Sequence, residues 1–211
     1  MSMDDLLSAL ALPPQARVDQ RVPKKHLIDN AAVTATDKKA ITEGIEELIW
    51  VAALKPATVG VPAFEDAERQ YLEIAVLSLS LREGAKAGRL RELVHRAIPY
   101  PVVLIATDAG GLVLSLCELR HAQSEAGKMV LDGELLAADP TPVLDKLSLA
   151  KQPATDLAIL YRSWCNLLKP WVRRAELLAE IEKLRREAAK ETQLARRVEL
   201  NLKIKTLEGI E

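Results

Sequence analysis

Two periods of hydrophobic and polar positions alternate along this chain, and the switches between them mark its elements. Residues 71–81 form a near-continuous apolar run. Ile74 and Val76 lie on one face and Ala75, Leu77 and Leu79 on the other, the pattern of a strand covered on both sides. Leu90, Leu93, Val94, Ala97 and Ile98 share one helical face, and Pro99 closes that helix. Residues 102–107 and 112–119 are two further apolar runs. Asp108-Ala109-Gly110-Gly111 separates them, a turn in which glycine takes positive φ without steric cost. Residues 71–120 therefore read as strand, helix, strand, turn, strand.

The flanks are arranged around that unit. Leu6, Leu7 and Leu10 mark a short amphipathic helix over residues 3–12, stopped by Pro13-Pro14. Residues 17–26 place Arg17, Arg21, Lys24 and Lys25 around Pro23, a solvated connector or an arm that contacts phosphates. Thr36 is the expected N-cap of a helix on which Ile41, Ile45, Leu48 and Ile49 share a face. Apolar residues 50–54 continue to Pro56, and residues 57–69 read as a surface loop. Asp132-Gly133 predicts a second, shorter hairpin over residues 129–136. Proline-rich residues 138–153 mark a boundary, after which Leu157, Leu160, Tyr161, Trp164 and Leu168 form a helical stripe interrupted by Pro170.

Residues 171–207 contain neither proline nor glycine, which predicts one helix about 55 Å long at ~1.5 Å per residue. Its heptad seam runs through Leu177, Ile181, Leu184, Ala188, Glu191, Ala195, Val198, Leu202 and Lys205. Such a helix frays alone in water and needs a partner surface. Glu191 would repel its own copy in a parallel dimer, so any homodimer through this seam is expected to be antiparallel or weak. The fold class is α+β. Residues 1–35 form a helix and basic connector, 36–140 a small mixed or antiparallel sheet with flanking helices, and 154–211 a long, coiled-coil-like helical arm.

Composition narrows the function classes. At 211 residues the chain holds one domain plus an appendage. Hydrophobic residues at 49% and charged residues at 28% argue against disorder, and 3% aromatics removes the usual stacking platforms for single strands. A net charge of −1 gives no global field for polyanions. In the arm, Lys183, Arg185, Arg186, Lys190, Arg196 and Arg197 alternate with Glu182, Glu187, Glu191 and Glu199, a solvated face rather than a DNA surface. Cys117 and Cys165 lie in apolar segments with no CxxC spacing and read as buried free thiols. No apolar stretch is long enough to span a bilayer, and Asp4 and Asp5 stand where a secretory signal has basic residues, so a cytoplasmic protein is expected.

Reactive groups do not converge. His26, His95 and His121 share no metal-ligand spacing, and His95 near a helix C-terminus is expected to favour its protonated form. Phosphate-binding glycine loops and a nucleophile elbow are absent, and neither a cofactor nor a metal is expected. The nearest approach to a catalytic pair is Asp108 with Glu118-Leu119-Arg120, which imitates a metal-dependent nuclease. Arg120 stands where such sites use a lysine, and Asp108 is better explained as a turn residue.

Several segments together resemble a known family. They are Pro23-Lys24-Lys25, Thr36-Asp37-Lys38-Lys39, Ile45-Glu46-Glu47-Leu48-Ile49-Trp50 and Ala53-Leu54-Lys55-Pro56-Ala57-Thr58, followed by Glu73-Ile74-Ala75-Val76, Ala97-Ile98-Pro99-Tyr100-Pro101-Val102 and Arg197-Val198-Glu199-Leu200-Asn201. The chain resembles an uncharacterised bacterial family of unknown function encoded beside helicases and DNA methyltransferases in restriction-like defence loci. That resemblance implies a setting and no active site. The expectation is a non-enzymatic accessory subunit that docks a helicase or methyltransferase through Leu177, Ile181, Leu184, Val198 and Leu202. The alternatives are a divergent nuclease using Asp108 and Glu118, or a nucleic-acid-binding module using Arg17, Arg21, Lys24 and Lys25.

Overall fold

In chain order the elements are α1 (Met3–Leu10), β1 (Arg17–Arg21), α2 (Lys24–Asn30), α3 (Ala35–Gly44), β2 (Ile45–Leu54), α4 (Pro56–Val59), β3 (Phe64–Glu65) and β4 (Gln70–Tyr71). They continue with β5 (Ile74–Leu81), α5 (Ala87–Ala97), β6 (Val102–Asp108), β7 (Gly111–His121), β8 (Met129–Ala138), α6 (Leu157–Lys190) and α7 (Leu194–Glu208). The computed structural model describes residues 1–31, 34–108, 110–123 and 128–209, with Asp108 described in its backbone alone. Two units divide these residues, Met1–Leu168 and Lys169–Glu211.

The first unit is built on a six-stranded sheet in the order β1-β2-β5-β6-β7-β8, with β3 and β4 pairing separately. Only β5 and β6 run parallel, and α5 makes the crossover between them. All the other neighbouring pairs are antiparallel, so the sheet is mixed. Strand β5 is buried on both faces. Ala75, Leu77 and Leu79 join Leu104 and Ala106 of β6 in a core sealed by Leu27, Ile41, Leu90, Leu93 and Val94 from α2, α3 and α5. Ile74 and Val76, of the other parity, are equally buried.

On the first turns of α6, Tyr161 reaches the backbone of both β6 and β7. Its hydroxyl accepts from the Cys117 N–H at 2.9 Å and faces the carbonyls of Val102 at 2.8 Å and Cys117 at 3.0 Å. The β6–β7 register ends at Leu104↔Ser115, so Val102 and Cys117 lie two residues beyond it, where the ladder has opened. The phenol takes the place of the missing rung. Trp164 donates its indole N–H to the Leu147 carbonyl at 2.9 Å. That bond ties the proline-rich segment, with buried Val143 and Leu147, into the first unit.

Several sequence expectations are corrected. The helix expected to carry Ile41, Ile45 and Leu48 on one face ends at Gly44, and Ile45 opens β2. A Cβ at Gly44 would stand 2.8 Å from Leu90 Cδ1 and 3.2 Å from the Ala85 Cβ, so a larger residue there requires the Leu90 side chain to shift. The N-cap is Thr34 rather than Thr36, since the Thr34 hydroxyl accepts from the Asp37 N–H at 3.1 Å. Residues 17–21 form an edge strand and residues 24–30 a helix, not a connector. The expected loop at 57–69 contains the last residues of α4 and strand β3.

Asp132-Gly133 does not turn a hairpin. Gly133, with φ +85°, bulges within the continuous strand β8, and the pairing shifts from Leu116↔Leu136 to Glu118↔Asp132. Pro170 lies inside α6 instead of ending it. The helix expected from 171 to 207 breaks at residues 191–193, between α6 and α7.

Burial also reverses the expectation for His95. The imidazole is sealed between α5 and β7, 3.0 Å from the Ser115 hydroxyl, and desolvation holds its pKa down at about 3, so it is neutral. Cys117 and Cys165 are buried thiols outside any disulfide, and burial pushes the Cys117 thiol up to about 11.

Candidate functional site

The second unit explains its helix break by where its apolar side chains go. Ile181 and Leu184 of α6 pack against Ile204 of α7, with Leu177, Leu200 and Leu207 around them. Arg185 meets Glu208 at 2.7 Å, so the two helices form a hairpin. A straight helix would leave both ends of the seam in water, whereas folding back lets them bury each other. Glu191, expected in the middle of an apolar seam, sits at the bend. Its carboxylate accepts from the Gln193 N–H at 2.8 Å and lies 3.5 Å from Arg196. No glycine or proline lies in this turn; the Glu191 carboxylate bridges it to the Gln193 N–H.

Helix α7 carries a second apolar row. Leu194, Val198 and Leu202 recur every four residues and are 67%, 50% and 61% exposed. They lie opposite the buried row of Leu200, Ile204 and Leu207. Leu178 of α6 is exposed as well. Of the residues expected to bind a partner, Leu177, Ile181 and Leu184 pack inside the hairpin, while Val198 and Leu202 face outward. Leu194 belongs with the outward pair. The signal for it was the i, i+4, i+8 spacing, hidden as long as α7 was phased on the Leu177 seam. The unit holds 11 Lys and Arg against 8 Asp and Glu. Helical phase sets Arg197, Asn201 and Lys205 along one edge of the outer row.

The basic residues near the N-terminus divide into two roles. Lys24 donates to the Thr42 carbonyl at 2.9 Å, and the Arg82 guanidinium donates to the Glu43 carbonyl at 3.1 Å. The Arg82 N–H takes the Gly44 carbonyl, and the Ile45 N–H takes that of Ile41. All four terminal carbonyls of α3 are therefore satisfied, and Lys24 and Arg82 are its C-terminal caps. Arg21 and Lys25 instead line an open groove of about 450 Å³ with Gln20, His26, Asp29 and Trp50. Arg17 lies 3.9 Å from Asp19 on β1.

Between α3 and α5, Arg89 grips Asp37 through two bonds of 2.9 Å and also holds Glu92 at 2.8 Å. The Arg89 guanidinium brings the Asp37 carboxyl down to about 2. This network holds two helices together.

Asp108 and Glu118 are not brought together. Asp108 pairs with Gly111 at one end of β7, and Glu118 lies seven residues further along, roughly 23 Å at ~3.3 Å per residue. One metal ion does not bridge that span. The Asp108 side chain lies outside the described residues. Glu118 is paired with Arg162 at 3.1 Å, beside Asp132, which lies 2.6 Å from Arg69 and 3.6 Å from Arg120. Among the described residues no group of three or more His, Cys, Asp or Glu is placed to hold a metal ion, and no helix is long and apolar enough to cross a membrane.

A family model described as a domain of unknown function, DUF4391, matches residues 10–209. No curated protein and no solved structure matches the chain.

Proposed function

The chain belongs to the DUF4391 family, and we propose that it is a non-enzymatic accessory subunit that docks a DNA-acting protein through the outer row of α7. The observation that carries this reading is the double-sided character of that helix. Leu200, Ile204 and Leu207 already satisfy the hairpin, and Leu194, Val198 and Leu202 remain half to two-thirds exposed. The partner class, a helicase or DNA methyltransferase of a bacterial defence system, comes from the family setting that the sequence motifs resemble.

Magnitudes favour a large partner over a second copy of the same helix. Covering what remains exposed of three aliphatic side chains is worth about 1–2 kcal/mol each, roughly 3–6 in total. Association costs on the order of 4–15 kcal/mol before any net affinity appears. The row is therefore one anchor in a wider interface, with Arg197 and Lys205 selecting an acidic rim on the other side.

A pull-down of the tagged full chain against the helicase and methyltransferase of its own locus tests the reading. Replacing Leu194, Val198 and Leu202 together by Ser is expected to abolish recovery while the hairpin stays helical. Equal recovery from the triple variant contradicts it.

A further inference from the structure

The groove beside β1 supports a second activity, independent of docking through α7. We propose that it binds single-stranded nucleic acid, with one base stacked on Trp50 and the adjoining phosphates on Arg21 and Lys25.

The platform is built first by the sheet. Trp50 sits in β2, donates its indole N–H to the Ala52 carbonyl at 3.0 Å, and meets the Tyr100 ring edge-on at 6.4 Å and 64°. Those contacts fix the plane of a ring that is only half-buried and lines the groove. At about 450 Å³ the groove falls within the ~300–1,000 Å³ range of small-ligand sites. A half-buried indole held by the sheet and bordered by cations suits a base and its phosphate together.

The surrounding charge has the matching sign. Arg21 and Lys25 are exposed in the groove, with His26 beside them. Neighbouring Lys24 has its pKa lowered by burial and then by the positive charges of Arg82 and Arg21, which marks a locally positive potential. The opposing carboxylates are Asp29 in the groove and Glu47, which lies 3.9 Å from the Arg21 guanidinium. Both partners of that pair keep substantial exposure, so a phosphate competes for the guanidinium at little cost. Lys24 is engaged with the end of α3 and is not assigned to the site.

Unpaired bases fit this surface and paired ones do not, because a duplex offers edges and backbone but no free base face to Trp50. An acidic peptide satisfies the cations and leaves the indole without a stacking partner.

The test uses the full chain and a fluorescein-labelled oligothymidine of about 12 nucleotides. The comparison probes are a duplex of equal length, thymidine monophosphate and polyglutamate. The single strand is expected to bind at least about tenfold more tightly than any of the other three. Trp50→Ala is expected to weaken it by roughly tenfold or more, and Trp50→Phe to restore most of the loss. Lys25→Ala is expected to lower the slope of log affinity against log salt by about one. A circular dichroism melt establishes that each variant is folded. No binding at low salt, full binding by folded Trp50→Ala, or equal affinity for any comparison probe would overturn the proposal.

Discussion

Tyr161→Phe removes one oxygen atom and leaves the ring that packs against the sheet. In the native chain that oxygen accepts from the Cys117 N–H and gives its one hydrogen to the carbonyl of either Val102 or Cys117, at 2.8–3.0 Å, in a fully buried position. The variant strands the Cys117 N–H and at least one carbonyl at the point where β6 and β7 separate. Each stranded buried group costs about 1–3 kcal/mol, so the loss should be about 2–6 kcal/mol. For a unit of this size that corresponds to a drop in Tm of roughly 4–24 °C. Urea unfolding followed by far-ultraviolet circular dichroism and tryptophan emission reads the difference. A loss below about 0.5 kcal/mol would refute the reasoning, since it would mean that the ladder closes without the phenol.

Two further predictions concern the helices. The folded Asp37 carboxyl titrates at about 2 against an ordinary 3.8, so its contribution to stability is complete above pH 3.8 and is lost as pH falls through 2. Asp37→Asn should therefore flatten the acid limb of unfolding free energy against pH, and an unchanged limb would remove the Arg89 pairing as its cause. Ile204→Ala should cost the hairpin about 2 kcal/mol, the low end for a large-to-small change because that cluster is only partly sealed. Hydrogen exchange should then show α7 losing protection while β5 and β6 keep theirs, and undiminished protection of α7 would contradict the hairpin.

The sheet was legible where burial decides conformation. β5, α5, β6 and β7 all follow from apolar runs, helical spacing and a glycine turn, since few other arrangements bury Leu77, Leu93 and Leu104 together. The misreadings fall where local pattern and tertiary contact disagree. Ile41 and Ile45 keep helical spacing across Gly44, yet the chain changes to a strand there, where Ile45 pairs with Leu81 of β5. Asp132-Gly133 suits a hairpin in isolation, but pairing with β7 along the whole of β8 outweighs the turn and leaves a bulge.

The candidate surface shows the same limit. Nothing at Glu191-Thr192-Gln193 is a helix breaker by propensity. The bend goes with the hairpin core and with the Glu191 carboxylate that bridges it to the Gln193 N–H, both visible only in three dimensions. Heptad phasing therefore mixed inward and outward residues, placing buried Ile181 beside exposed Leu202 and omitting Leu194. The basic arm was likewise divided by contacts that spacing does not reveal: Lys24 serves the end of α3, and Lys25 faces the groove beside Trp50.

The docking claim is tested most directly by a photo-crosslinking residue placed at Leu202 on the outward row and, separately, at Ile204 on the buried one. With the chain expressed alongside the helicase and methyltransferase of its locus, the account predicts a crosslink to one of those proteins from position 202 and none from position 204. Crosslinks from 202 only to a second copy of the chain, or equal capture from both positions, would contradict it.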